Sequence, residues 1–253
     1  MVQAGPATIE VTVEGNGHPV VFVPSYGRGA EDFTDLATRV VGVGFRVVLP
    51  QPRGIGGSIG PLRGLTLHDW AADVAAIVRT VGGGPATIIG HAFGNRVARM
   101  VAADHPRLVK QVVLLAAGGA VPPSPEIANT LTRVFDQSLP RADHLAAVER
   151  VFFARGHDPT VWEHGWHPAV FEAQKAAADA TPLESWWGAG SAPILVLQAT
   201  EDAFAVPANS KRLREQYPER VTLIQIPRSG HAMLPEQPDV IADAIIGYLM
   251  RQH

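Results

Sequence analysis

Three short stretches of this chain carry residue types that do chemistry when brought together. Gly90-His91-Ala92-Phe93-Gly94 follows an apolar run and opens a helical pattern. Thr200-Glu201-Asp202-Ala203-Phe204-Ala205-Val206-Pro207 sets a carboxylate just beyond a second apolar run. Pro227-Arg228-Ser229-Gly230-His231-Ala232 sets a histidine beyond a third. An imidazole oriented by a carboxylate is a general base, and beside a nucleophile on a tight strand-to-helix turn it performs acyl transfer. The two glycines of Gly-x-Ser-x-Gly let strand and helix pass closely while the central residue sits on a strained turn. Here both glycines are in place and the central residue is Ala92.

The elements that must position these residues follow from hydrophobic pattern. Val20–Val23, Phe45–Leu49, Thr87–Ile89, Val112–Ala116, Ile194–Gln198 and Val221–Ile226 are short and rich in Val, Ile and Leu. Such runs suit strands buried on both faces of a parallel sheet. Helical stretches alternate with them over Ala30–Val41, Leu67–Val81, Gly94–Asp104, Ala208–Gln216 and Asp239–Arg251. Repeated βα units predict an α/β fold: a mostly parallel sheet with helices on both faces. At the front, alternation over Thr8–Val13 before Glu14-Gly15-Asn16-Gly17 predicts a hairpin start. The elbow, the acid and the histidine each follow a strand's C-terminal end, the edge at which open α/β sheets bind ligands.

From Val121 to Ala192 the rhythm breaks into helix-like segments with no convincing strand. Pro122, Pro123 and Pro125 open the interval and Gly188–Pro193 closes it. The expected organisation is a core of residues 1–120 and 193–253 interrupted by a helical cap, 121–192. Phe135, Phe152, Phe153, Trp162, Trp166, Phe171, Trp186 and Trp187 crowd this interval. They read mainly as packing of the insertion onto the core, with Trp186 and Trp187 carried forward as pocket residues.

Composition narrows the chemistry. The chain has 253 residues, 46% hydrophobic and 18% charged, which is too apolar for disorder and suits one large core. A net charge of −3 offers no general attraction to nucleic acid or to anionic membranes. With no cysteine, a thiol nucleophile, a disulfide framework and a thiolate metal site are excluded. No basic-then-apolar leader and no bilayer-length apolar run is visible, so a cytoplasmic location is expected.

The order elbow, acid, histidine resembles that of the α/β-hydrolase fold, over nearly the whole chain. Val23-Pro24-Ser25-Tyr26-Gly27-Arg28-Gly29 occupies the place of the family's His-Gly-x oxyanion loop. Pro50-Gln51-Pro52-Arg53-Gly54-Ile55-Gly56-Gly57-Ser58 resembles its Asp-x-Arg-Gly-x-Gly-x-Ser loop. The interval 121–192 stands where the family carries its cap. The resemblance implies His231 as base, Asp202 as its orienter with Glu201 as fallback, and position 92 as the nucleophile's. It implies an oxyanion hole from the backbone N–H groups of Phe93 and Tyr26, with Ser25 on the same loop. The departures are Ala92, and Pro24-Ser25 where His-Gly is usual.

Three readings of Ala92 stand side by side. It replaces a catalytic serine in an esterase- or lactonase-like hydrolase. Alternatively, it is native and the His231–Asp202 pair transfers protons without an acyl-enzyme, as in a cofactor-free oxygenase or lyase. Finally, Ser25 is a displaced nucleophile, or the protein only binds ligands. A carboxylate nucleophile of the epoxide-hydrolase or dehalogenase kind is disfavoured, since those need one at 92. A small or medium apolar substrate is expected, with no cofactor, no metal, no nucleic acid and no membrane; a homodimer is left open. His157, His164 and His167 read as cap-surface or rim residues, since no carboxylate pattern completes a metal site. Gly82-Gly83-Gly84 lacks the Lys-Ser/Thr of a phosphate loop. Arg96 and Arg99 follow the elbow with their roles unassigned.

Overall fold

The protein is described from a computed structural model that covers residues 1–82 and 84–251. Gly83, within the triple-glycine run, therefore lies outside the described residues. The strands are β1 (Val2–Ala4), β2 (Ala7–Ile9), β3 (Val11–Glu14), β4 (Pro19–Val23), β5 (Arg46–Pro50), β6 (Ala86–His91), β7 (Val109–Leu115), β8 (Ile194–Ala199) and β9 (Val221–Ile226). The helices are α1 (Thr34–Gly42), α2 (Leu67–Ile77), α3 (Phe93–Asp104), α4 (Pro125–Val134), α5 (Arg141–Phe152), α6 (Pro168–Asp179), α7 (Leu183–Trp186), α8 (Ala208–Gln216), α9 (Met233–Glu236) and α10 (Pro238–Arg251). β1 and β2 form a small antiparallel pair. The other seven strands form one sheet in the order β3-β5-β4-β6-β7-β8-β9, parallel except for β3.

Alternating side chains of the sheet feed two apolar layers, as the two-residue period of a strand requires. Val20, Phe22, Ile89, Leu195 and Leu197 pack with Leu36 and Val40 of α1 and Ile241 and Ile245 of α10. Val21, Ile88, Val112 and Val196 pack on the other face with Trp70 of α2 and Val97 and Val101 of α3. That double burial explains why the central strands read as unbroken apolar runs. Helix starts follow local chemistry. Asp69 accepts the backbone N–H of Thr66 at 2.8 Å to open α2, and Ser124 Oγ caps α4 ahead of Pro125.

The expected hairpin at the N-terminus does not form. β3 pairs antiparallel with β5, which lies between β3 and β4. The Glu14–Gly17 turn instead passes over the start of β5. A Cβ at Gly15 would stand 2.3 Å from the Phe45 carbonyl oxygen, and one at Gly17 would stand 1.9 Å from that of Gly44. The glycines are there for that close crossing, which local pattern does not distinguish from a hairpin turn.

Helices α4–α7 leave the sheet after β7 and return to β8. Their aromatics pack mostly with one another: Phe135 stacks on Phe171 at 3.8 Å between centroids, and Phe152 on Trp166 at 5.4 Å. Buried Arg28, paired with Asp32, lies over the rings of both Trp162 and Trp166 and donates to the His164 carbonyl at 2.6 Å. The loop after β4 is thereby fastened to this insertion. Among the described residues no helix is long and apolar enough to cross a membrane.

Candidate active site

The β6-to-α3 turn has the geometry that Gly-x-x-x-Gly spacing demands. Ala92 adopts φ 49° and ψ −107°, a conformation that costs an L-residue about 1–3 kcal/mol. A Cβ on Gly90 would lie 2.2 Å from the Gly94 carbonyl oxygen, and one on Gly94 would lie 1.9 Å from that of Val23. Neither glycine is replaceable without moving backbone. The helix that follows holds its neighbours with side chains. Asn95 donates to the Ala116 carbonyl at 3.0 Å, and Arg99 donates to the Gly118 carbonyl at 2.7 Å and to Asn95 Oδ1. Together they fix the loop after β7.

Asp202 and His231 meet from the ends of β8 and β9, and both are almost fully buried. His231 Nδ1 lies 3.0 and 3.1 Å from the two carboxylate oxygens. Asp202 Oδ1 also accepts the backbone N–H groups of Phe204 at 2.9 Å and Ala205 at 2.7 Å, which locks its rotamer. A carboxylate can only accept, so Nδ1 carries the proton and Nε2 is the basic nitrogen. His231 Nε2 has no partner among the described residues. Glu201, the fallback acid, is exposed, and its backbone N–H is bound to Ser229 O. The site thus holds an oriented base whose free lone pair can take a proton, beside a carboxylate that stabilises the resulting imidazolium.

Two residues outside the expected set hold this dyad. His91 Nε2–H donates to the backbone carbonyl of His231 at 2.8 Å. Burial, reinforced by the adjoining His231 ring, pushes His91 down to about 3, so it stays neutral. Glu236 accepts from Gly230 N at 2.6 Å, Ser229 Oγ at 3.1 Å and Ala154 N at 2.6 Å, joining the histidine loop to the end of α5. His91 had a signal in its position beside Ala92. Glu236 had none: only the fold turns its carboxylate back onto Ser229 and Gly230 and brings up Ala154 from 82 residues away.

Ala92 and His231 line one cavity of about 250 Å³, with Tyr26, Arg96, Gly119 and Phe204 among its walls. A larger open depression of about 410 Å³ beside α4 and α5 holds neither member of the dyad. Of the expected pocket residues, Tyr26 lines the cavity, its ring 4.8 Å from Phe93 and 5.7 Å from Phe171. The other expectations place differently. Ser25 is buried outside this cavity, and among the described residues no hydrogen bond joins it to His231. The Phe93 side chain packs into the core against Trp70; its N–H, first in α3, has no acceptor within the helix. Trp186 and Trp187 stand behind the wall, stacked on the Arg99 guanidinium at 4.5 and 4.8 Å. The Trp186 ring backs Gly119, where a Cβ would meet it at 2.5 Å. The wall is therefore less apolar than the insertion's composition suggested, and it includes the charged Arg96 and Asp179.

The histidines of the insertion are tied to its seams. The His157 ring bonds the Arg228 carbonyl at 3.0 Å, and the His167 N–H bonds that of Gly27 at 2.9 Å. Among the described residues no group of three or more His, Asp or Glu could hold a metal.

Known proteins share this architecture. A model described as the alpha/beta hydrolase family matches residues 20–244. A non-heme chloroperoxidase of Streptomyces lividans is 27% identical, over 92% of this chain and 92% of its own. The 2-(acetamidomethylene)succinate hydrolase of Mesorhizobium japonicum is 23% identical, over 98% and 94%. An esterase from Exiguobacterium antarcticum superimposes with a TM-score of 0.84 at 19% identity, over 98% of each chain. With a family model spanning most of the sequence, the chain belongs to the α/β hydrolase family.

Proposed function

We propose that this site is built for hydrolysis of an ester, lactone or related carbonyl bond in a small substrate, with position 92 the nucleophile's place. One observation carries the reading: Ala92 is held at φ 49° on a glycine-flanked turn and lines the same cavity as His231, whose Nε2 has no hydrogen-bond partner among the described residues. Such strain persists where the surroundings over-determine it, typically at functional turns. A serine there would place its hydroxyl at the cavity wall shared with His231. The oxyanion would be received by the Phe93 N–H and the loop bearing Tyr26. Relatives with hydrolase and esterase names support the same reaction class. Residues 121–192 act as a cap, clipped to the core through Arg28 and Glu236.

With alanine at 92 no acyl-enzyme forms, and the chain binds substrate without turning it over by that route. The test is Ala92→Ser. Turnover of short aryl esters such as 4-nitrophenyl acetate should rise by several orders of magnitude, since removing the serine from a protease triad costs about 10⁶ in kcat. Inactivity of Ala92→Ser across a broad ester and lactone panel overturns the reading.

The free Nε2 of His231 favours a second reading, in which the dyad of the Ala92 protein abstracts a proton from the substrate itself. Oxygen uptake or elimination by the unaltered protein, lost in His231→Ala, would establish it.

A further inference from the structure

Two arginines follow Ala92 on α3, and their surroundings differ. Arg99 is completely buried and committed: it donates to Asn95 O, Asn95 Oδ1 and Gly118 O and is stacked on Trp186 and Trp187. It builds the wall. Arg96 is half-buried and lines the cavity itself. Its guanidinium lies 5.9 Å from the Tyr26 ring centroid and 5.5 Å from that of Trp186. Among the described residues it has no hydrogen-bond acceptor and no carboxylate partner. The cavity's other charged lining residue, Asp179, is exposed and engaged by Lys175 at 2.7 Å. Asp202 is buried and occupied by His231 and two backbone N–H groups.

Among the described residues no carboxylate pairs with either guanidinium, and Arg96, lying over two aromatic rings beside a second, buried cation, is poised for an anion. Burial, with the neighbouring charge of Arg96, pushes Arg99 well below the ordinary arginine value. Ala92 immediately precedes α3, Arg96 stands in the first turn of that helix, and both line the same cavity. The cavity, at about 250 Å³, is smaller than the roughly 300–1,000 Å³ of sites for drug-sized ligands.

We propose that Arg96 is the specificity-determining residue of this site and that its substrates are small acidic esters or lactones, with a carboxylate seated on Arg96 within about one helical turn of the reacting carbonyl. The inference rests on the hydrolytic reading for the word "ester" but not for the anion. The guanidinium presents a planar donor fork to the carboxylate, and the aromatic faces keep it in place. This alters the expectation of an apolar substrate: the apolar part is short and the recognition is ionic.

The test uses the protein as it stands, with two matched probes, monomethyl succinate and dimethyl succinate, in titration calorimetry. The Ala92 protein should bind the monoester about 10- to 100-fold more tightly than the diester, the range of a charge-assisted hydrogen bond. Arg96→Gln should bring that ratio close to 1, and Arg96→Lys should keep a preference for the acid. Should Arg96→Gln fail to fold, Arg96→Met, which keeps an unbranched stem against the rings, takes its place. Equal binding of the two probes, absence of binding by either, or a ratio unmoved by loss of the charge each overturns the proposal. Hydrolysis is read separately with Ala92→Ser. Turnover of both esters without discrimination would leave the hydrolase reading standing and Arg96 unassigned. Anion-selective binding with no turnover by Ala92→Ser would do the reverse.

Discussion

The His91 imidazole donates its Nε2–H to the main-chain carbonyl of His231 over 2.8 Å, so the residue preceding the strained turn holds a histidine that lines the same cavity as that turn. The strand end after β6 and the loop after β9 are thus joined by one buried bond between two histidines with different duties. One is neutral and structural; the other has a ring nitrogen with no hydrogen-bond partner among the described residues.

That relationship predicts a pH dependence of stability. His91 has a folded value near 3 against 6.5 in model compounds, so between those limits the unfolded chain binds the extra proton. Its contribution is fully present above about pH 6.5 and is lost as pH falls toward 3, at up to about 1.4 kcal/mol per pH unit. His91→Gln removes the titrating group. In urea unfolding followed from pH 7 to 4, its stability should fall less steeply with acid than that of the parent.

Strain at Ala92 predicts that Ala92→Gly stabilises the fold. Relief of about 1–3 kcal/mol of backbone strain outweighs the roughly 0.5–1 kcal/mol of added unfolded-state entropy. Chemical denaturation should show a gain of about 1 kcal/mol. A loss would mean that the Ala92 methyl contributes more by packing than its backbone costs.

Gly94→Ala is expected to be severe. Its Cβ would sit 1.9 Å from Val23 O and 2.7 Å from Pro24 O, both backbone atoms that cannot swing aside. Separation of α3 from β4 should cost about 3 kcal/mol or more, read as a large fall in melting temperature or loss of the folded fraction.

Asp202→Asn, made in Ala92→Ser, tests the orienting carboxylate. An amide N–H facing His231 Nδ1 selects the tautomer whose Nε2 is protonated and no longer a base. The equivalent change in a serine protease lowers kcat by about 10⁴, and a fall of that order in ester turnover, with the fold retained, is the expected result.

Glu236→Leu should loosen the insertion and the histidine loop together. It strands the N–H groups of Ala154 and Gly230 and the Ser229 hydroxyl, each costing about 1–3 kcal/mol if it stays buried. Amide exchange should rise at residues 153–154 and 229–231 before it rises in β8.

What the chain order determined was local. Gly90 and Gly94 announce a close strand–helix crossing, apolar runs with no polar alternation announce a buried parallel sheet, and Asp202 and His231 lie just past strand ends. Each is a property of a few adjacent residues, so each was legible before any fold was known. The tertiary structure decided everything that depends on a partner far along the chain. It threaded Glu14–Gly17 over β5 where a hairpin was expected, and it placed Trp186 and Trp187 behind the cavity wall. It committed Arg99 to carbonyl oxygens while leaving Arg96, three residues earlier on the same helix, with no hydrogen-bond acceptor among the described residues. Spacing on a helix says which side chains share a face; only packing says what that face meets.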